Sequence, residues 1–220
     1  MSNPLNDLVA FLTANSSAFE PLGAARYVII VTFYALVIVS VILAASNLRH
    51  DRTQRSASLL WIWLTRVLVG CLVFRGMLET LPFGPDNALH GWVEQMAGRA
   101  AWPQFSGVIS DVILPHFGLV NPLVFLLEFG VAASLILGLF VRVAGLVTLI
   151  GGLGLWLGLY GEHPDAPAVW SWSFLLLAMV GGYFTLLSAG RALGADAWIR
   201  RTIASVRDRR PAGLLLRILT

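Results

Sequence analysis

The sequence predicts an all-α, polytopic membrane protein with five membrane-spanning helices. Composition is the first reason: 57% of the 220 residues are hydrophobic, only 12% are charged, and mean hydropathy is +0.78. Those values lie well outside the range of ordinary globular domains. The second reason is length. Crossing a hydrocarbon core of about 30 Å takes about 20 apolar residues in a helix, and the stretches 27–46, 59–79, 120–141, 143–160 and 170–189 meet that requirement. None shows the alternation of a membrane β-barrel. The third reason is the placement of the basic residues, all of which are arginine.

Eleven of the fifteen arginines fall on one side of the five stretches. Arg49, Arg52 and Arg55 follow the first, Arg142 follows the third, and seven follow the fifth. The loops of the opposite side carry Asp86, Glu94, Asp111, Glu162 and Asp165 against Arg99 alone. The excess of arginine marks the cytoplasmic side, which puts the N-terminus outside and the C-terminus inside. The net charge of +3 therefore describes orientation and contact with anionic lipid, and implies no nucleic-acid partner. A single cysteine, Cys71, excludes an internal disulfide and a paired-cysteine haem motif.

Taken in order, residues 1–26 form a polar-to-mixed leader broken at Asn3-Pro4 and Glu20-Pro21. The first span contains no Gly or Pro and is rich in Val and Ile, as expected of a lipid-facing helix at the edge of a bundle. It is too long for a signal-peptide core and lacks a basic segment before it, so it is expected to remain in the mature protein. The second span holds Arg66, Arg75 and Glu79. The loop 80–119 combines Pro82, Pro85, Pro103 and Pro115 with Phe83, Trp92, Trp102, Phe105 and Phe117. Its aromatic content predicts an ordered segment on the membrane surface, with short interfacial helices over 91–100 and 105–114. The third span carries Glu128. The fourth is rich in glycine, and its Gly154-x-x-x-Gly158 predicts close helix packing within the bundle, with a dimer seam as the other use of such a motif. Residues 195–220 place Trp198, Ile199, Ile203 and Val206 near one helical face, with Arg200, Arg201, Arg207 and Arg209 elsewhere. That pattern predicts a helix lying on the inner leaflet.

Ionisable groups inside a span are costly and point to function or to a specific partner. Arg75 and Glu79 are i,i+4 neighbours and are expected to pair locally. Arg66 lies nine residues before Arg75, on the opposite face of the helix, and needs a partner elsewhere. At 1.5 Å per residue, Arg66 is roughly 11 Å from the inner end of its span and Glu128 roughly 12 Å from the outer end of its own. The axial gap of about 7 Å is within reach of a long arginine, and Arg75 is about as close from the other side. Two readings follow: a buried ion pair that fixes helix register, or an anion or quinone-headgroup site opening toward the outer loop.

Four histidines, His50, His90, His116 and His163, lack the i,i+3 or i,i+4 pairing of a metal motif, so no metal site is predicted. His116, on a turn between Pro115 and Gly118, is instead a candidate donor to a headgroup or oxyanion. No phosphate loop, nucleophile elbow or dinucleotide fingerprint is present.

Three stretches resemble the DoxX/DoxD family. The first is Arg66-Val-Leu-Val-Gly70-Cys-Leu-Val-Phe74-Arg-Gly76. The second runs from Glu128 through Leu135 and Gly138 to Arg142. The third is Gly190-Arg191-Ala-Leu-Gly194-Ala-Asp196-Ala-Trp198-Ile199. The aromatic loop is similar to that of the DoxD branch, while Glu79 and Ala132 stand where Lys and Gly are common in the family. The resemblance spans residues 58–200 and implies a DoxX-like four-helix bundle. Residues 1–57 then add one transmembrane helix, and residues 201–220 form a basic cytoplasmic tail. It implies a bacterial or archaeal plasma-membrane subunit of the thiosulfate:quinone oxidoreductase kind, with quinone and no covalently bound cofactor. Membrane lipids and other membrane or periplasmic subunits are its implied partners. Arg66, Arg75, Arg99, His116 and Glu128 are the candidate substrate or headgroup residues. Gly70, Gly76, Gly138, Arg142, Gly190, Arg191, Gly194 and Asp196 are the structural motif. The alternative is a non-catalytic transmembrane subunit of a larger respiratory or photosynthetic complex. A transporter fits less well, since no inverted repeat or paired broken helices are visible.

Overall fold

The computed structural model describes residues 3–82, 88–161 and 172–205. Those residues are almost entirely helical: α1 (Pro4–Leu12), α2 (Ala25–His50), α3 (Ala57–Met77), α4 (Ala88–Arg99), α5 (Pro103–Val108), α6 (Phe117–Leu137), α7 (Val141–Gly158), α8 (Trp172–Leu187) and α9 (Ala195–Ser205). Four helices are long and apolar enough to cross a membrane, namely Ala25–His50, Ala57–Thr80, Phe117–Leu137 and Val141–Gly158. The fifth apolar stretch appears as the shorter helix α8, which begins at the first residue described after Gly161. The protein is a multi-pass membrane protein. Glu162, His163, Asp165 and the tail after Ser205 lie outside the described residues.

Local chemistry starts and stops the helices where expected. Asn3 accepts from Leu5 N at 3.0 Å ahead of Pro4, and Ser56 Oγ accepts from Leu59 N at 3.2 Å, each an N-cap. At the end of α2, Arg55 folds back to donate to Leu48 O at 2.8 Å and Arg49 O at 3.4 Å, partnering carbonyls the helix leaves open. The interfacial segment forms the two short helices expected of it, with α5 continuing into a π-turn at Ile109–Ile113.

One end of the bundle carries α1, α4 and α5, and the other carries the α2–α3 connection and α9; these are the α4 end and the α9 end. The leader is more than a tether at the α4 end. Phe11 and Phe19 are buried, and a chain of ring contacts runs Phe19–Phe11–Phe33–Phe74–Phe129 with centroids 5.1–6.3 Å apart. Through it the leader and α2 join the core formed by α3 and α6. α2 still presents Val28, Val31, Ile38 and Ile42 outward, as a lipid-facing helix should.

The tight helix seams are not where the GxxxG motif pointed. A Cβ at Gly154 meets nothing within 4 Å, and Gly158 receives Met96 of α4. The close approach is α7 on α8, where a Cβ at Gly145 would lie 2.7 Å from Gly181 O and one at Gly181 would lie 2.6 Å from Leu149 N. Spacing identifies glycines on one face but says nothing of which face turns to which neighbour. Gly181→Val is therefore expected to destabilise the bundle by about 1–3 kcal/mol, because backbone atoms, not flexible side chains, must move. Gly182→Val, whose Cβ would meet only Leu149 Cδ1 at 4.0 Å, is the matched control. Unfolding in mild detergent checks both, and equal losses would show that the seam is looser than described.

Candidate functional site

Arg66 is fully enclosed at 0% exposure, the largest fully buried side chain among the described residues. Its Nη1 donates to Leu135 O at 2.7 Å and its Nη2 to Ala192 O at 3.5 Å. Leu135 belongs to the last turn of α6, whose carbonyls have no partner within the helix and carry the negative end of its dipole. The turn ends at Gly138 in the left-handed conformation, φ +73°, and the guanidinium lies against its Cα, where a side chain would collide with Nη1. The partner of Arg66 is thus the carbonyl end of α6. Neither Arg66 nor Arg75 forms an ion pair within 4 Å of Glu128 among the described residues, so of the two readings the register-fixing pair is absent there. The axial estimate weighed side-chain charges alone and left out the partial charges of a helix terminus.

Asp196, 1% exposed, stands beside this arginine. α7 begins at Phe140, φ +52°, with no cap from its own sequence. Asp196 supplies that cap across 56 residues, accepting from Phe140 N at 2.9 Å and from Val141 N at 3.5 Å, while its own N–H donates to Gly138 O at 2.9 Å. Burial pushes its carboxyl up to about 6; the two N–H donors and the charges of Arg66 and Arg191 oppose that shift. Gly190 lies under the carboxylate, where a Cβ would strike Oδ2, and a Cβ on Gly194 would lie 2.9 Å from Gly138 O. Four motif residues, Gly138, Gly190, Gly194 and Asp196, therefore meet the headgroup candidate Arg66 at the α9 end. Gly70 serves a different contact, the α3–α6 crossing against Ile136, and Gly76 has nothing within 4 Å. Arg142 donates through Nε to Ser188 Oγ at 2.6 Å. Arg191 is held below its ordinary value by burial and by Arg200 and Arg142.

Several residues of this junction carried no sequence prediction. Asn47, 1% exposed, donates to Gly194 O at 3.0 Å, and Gln54 accepts from Leu193 N at 3.0 Å. Asn47, an amide at the end of an apolar span, can bond its own helix as readily as another, and Gln54 in a polar connection left no signal. Phe140, Ser188 and Leu193 all hold left-handed backbones, φ 52°, 49° and 54°. Non-glycine residues seldom adopt that region, and here the surrounding hydrogen bonds hold them in it.

Toward the α4 end the remaining charges form a second group. Arg75 Nη1 lies 3.6 Å from Glu79 Oε1, the local pair expected, with both side chains about half exposed. Half-buried Glu128 accepts from Thr80 Oγ1 at 2.5 Å, and the same hydroxyl lies 3.0 Å from Met77 O. Glu79 is within electrostatic reach of Glu128. Arg75, Glu79, Thr80 and Glu128 thus form a polar cluster against apolar helices, able to donate hydrogen bonds and hold a proton. Thr80 was missed because it follows α3 in a 3₁₀ turn, Leu78–Thr80, which helical spacing does not describe.

The other candidates stand apart. His116 is exposed just before α6, its Nδ1 2.8 Å from Val112 O. Arg99 closes α4 and is buried. His90 sits 3.4 Å from Glu94 and edge-on to Phe117. Among the described residues no three His, Cys, Asp or Glu side chains group as metal ligands. Comparison with protein-family models, curated proteins and solved structures finds no match to this chain.

Proposed function

We propose that this chain is an integral membrane subunit working with quinone-linked redox chemistry, of the thiosulfate:quinone oxidoreductase kind implied by the DoxX/DoxD resemblance. In this reading it crosses a bacterial or archaeal plasma membrane five times, its arginine-rich α9 end in the cytoplasm and its α4 end outside. The observation that carries the proposal is the Thr80–Glu128 hydrogen bond at 2.5 Å, beside the Arg75–Glu79 pair in an apolar setting.

The cluster fits a quinone headgroup chemically. Such a headgroup presents two carbonyl oxygens and, when bound, accepts two electrons and two protons. Arg75 supplies hydrogen-bond donors for a carbonyl oxygen, and Thr80 holds Glu128 in place through its hydroxyl. Glu128 supplies a carboxyl that can hold a proton next to the Thr80 hydroxyl. The electrons come from a partner redox subunit, and this chain contributes binding, orientation and proton delivery.

Glu128→Gln keeps the shape and removes the titratable group. In purified protein with its co-purifying partners, thiosulfate-dependent reduction of a quinone analogue is expected to fall about 100-fold, with the unfolding temperature little changed. An unchanged rate removes Glu128 from the mechanism. No activity in any preparation sinks the redox reading altogether.

One observation favours a non-catalytic role in a larger respiratory or photosynthetic complex. Arg66 and Asp196 are fully enclosed and bind helices to one another, so the motif they belong to serves cohesion. A stable hetero-complex by native mass measurement, with normal quinone turnover in Glu128→Gln, selects that role.

A further inference from the structure

Arg99 is a buried cation whose gripping edge is empty. Val93, Met96 and Arg99 recur at three-residue spacing on α4, and Met96 seats against Gly158 of α7, so this face turns toward the bundle. Two backbone hydrogen bonds strap the end of α4 to the end of α7: Ala101 N to Leu157 O and Gly161 N to Arg99 O, each 2.8 Å. The backbone of Arg99 is therefore held in place, and the residue is 4% exposed.

Its Nε and Nη2 are both buried, and among the described residues neither has a hydrogen-bond partner. These two nitrogens form one edge of the guanidinium, the edge that grips two oxygens of a carboxylate or phosphate side-on. Among the described acids at this end, Glu94 is engaged by His90 at 3.4 Å and Glu79 by Arg75 at 3.6 Å, and Asp111 is exposed. A buried charge without a partner is strongly unfavourable, which makes an enclosed, empty fork hard to account for as packing. Trp102, 55% exposed three residues on, is the type of side chain that sits at headgroup depth, where phosphate is the abundant oxyanion.

We infer that the Nε/Nη2 edge of Arg99 binds a phosphate group at the α4 end of the bundle, from a phospholipid headgroup or from free phosphate. Because both nitrogens are covered, entry requires the end of α4 to lift from the end of α7. The site involves none of the Glu128 cluster, so it stands or falls separately from the redox reading.

The full chain in phosphate-free maltoside detergent is the baseline, with chloride at matched ionic strength. Inorganic phosphate is titrated in one arm and phosphatidylglycerol is added to the micelles in the other. At least one is expected to raise the unfolding midpoint by several degrees in the wild type and in Arg52→Lys, an exposed control at the far end. A shift with lipid alone identifies the headgroup as source; a shift with inorganic phosphate alone identifies the aqueous ion. Arg99→Lys keeps the charge but lacks the fork, and is expected to weaken the apparent affinity at least about tenfold, the effect of about 1.4 kcal/mol. The proposal is overturned if neither probe shifts the midpoint, or if Arg99→Lys responds as the wild type does. The Arg99 Nε–H resonance of the unaltered chain gives a reading that needs no variant, and its failure to move with either probe also overturns the site.

Discussion

Replacing Arg66 by alanine is expected to cost the folded bundle about 3–5 kcal/mol, the range for removing one member of a buried, hydrogen-bonded charged set. Three losses combine. Leu135 O and Ala192 O lose the donors that reach them at 2.7 and 3.5 Å, and a buried unpartnered carbonyl costs its desolvation. Removing so large a fully buried side chain leaves a cavity between α3 and α6. Asp196 loses a neighbouring cation while staying buried. Unfolding in mild detergent, followed by tryptophan fluorescence, measures the sum. Arg75→Ala is the matched comparison, since its pair with Glu79 is 3.6 Å long with side chains 52% and 53% exposed. Such pairs are worth less than about 1 kcal/mol. Equal losses for the two variants would show that burial of Arg66 does not set its contribution.

Asp196→Ala is expected to cost about 2–3 kcal/mol, combining the loss of a helix cap with buried N–H groups left without acceptors. The same residue gives stability a pH dependence. Its carboxyl is raised from an ordinary value near 3.8 to about 6 by burial, so between these values the folded protein binds more protons than the unfolded chain. Stability from this group is then fully present below about pH 4 and is lost as pH rises through about 6. Asp196→Asn retains an acceptor for Phe140 N and does not titrate. The wild type is expected to lose more stability than Asp196→Asn between about pH 4 and 6.5, with parallel curves above. Unfolding midpoints across that window decide it. Identical slopes would mean that Asp196 keeps its ordinary value in the folded state.

The two groups of charge differ in how far sequence alone could resolve them. The Arg75–Glu79 pair follows from helical spacing, because four positions bring side chains together from the last turn of α3 into the 3₁₀ turn that continues it. The Arg66 partner does not follow from spacing. It depends on where α6 ends, and α6 ends because Gly138 adopts a left-handed backbone that exposes carbonyls to the guanidinium. A list of charged side chains holds no record of such carbonyls, so Glu128 was the only partner to be found. Thr80 and Asn47 were hidden for a related reason. A hydroxyl or amide in an apolar span can bond its own helix as readily as another, and only the packed structure distinguishes the two.

What the sequence by itself determined is a chain of apolar helices with short helices between the second and third spans, and the positions at which charge or glycine matters. Hydropathy and 3.6-residue spacing carry that information, since both are properties of one helix in its surroundings. The meeting of Arg66, Gly138, Gly190, Gly194 and Asp196 at one end, and the closure of α7 on α8 through Gly145 and Gly181 instead of Gly154, were decided only by tertiary structure. Both depend on the rotation and termination of helices distant in sequence, which backbone hydrogen bonds and close packing set together.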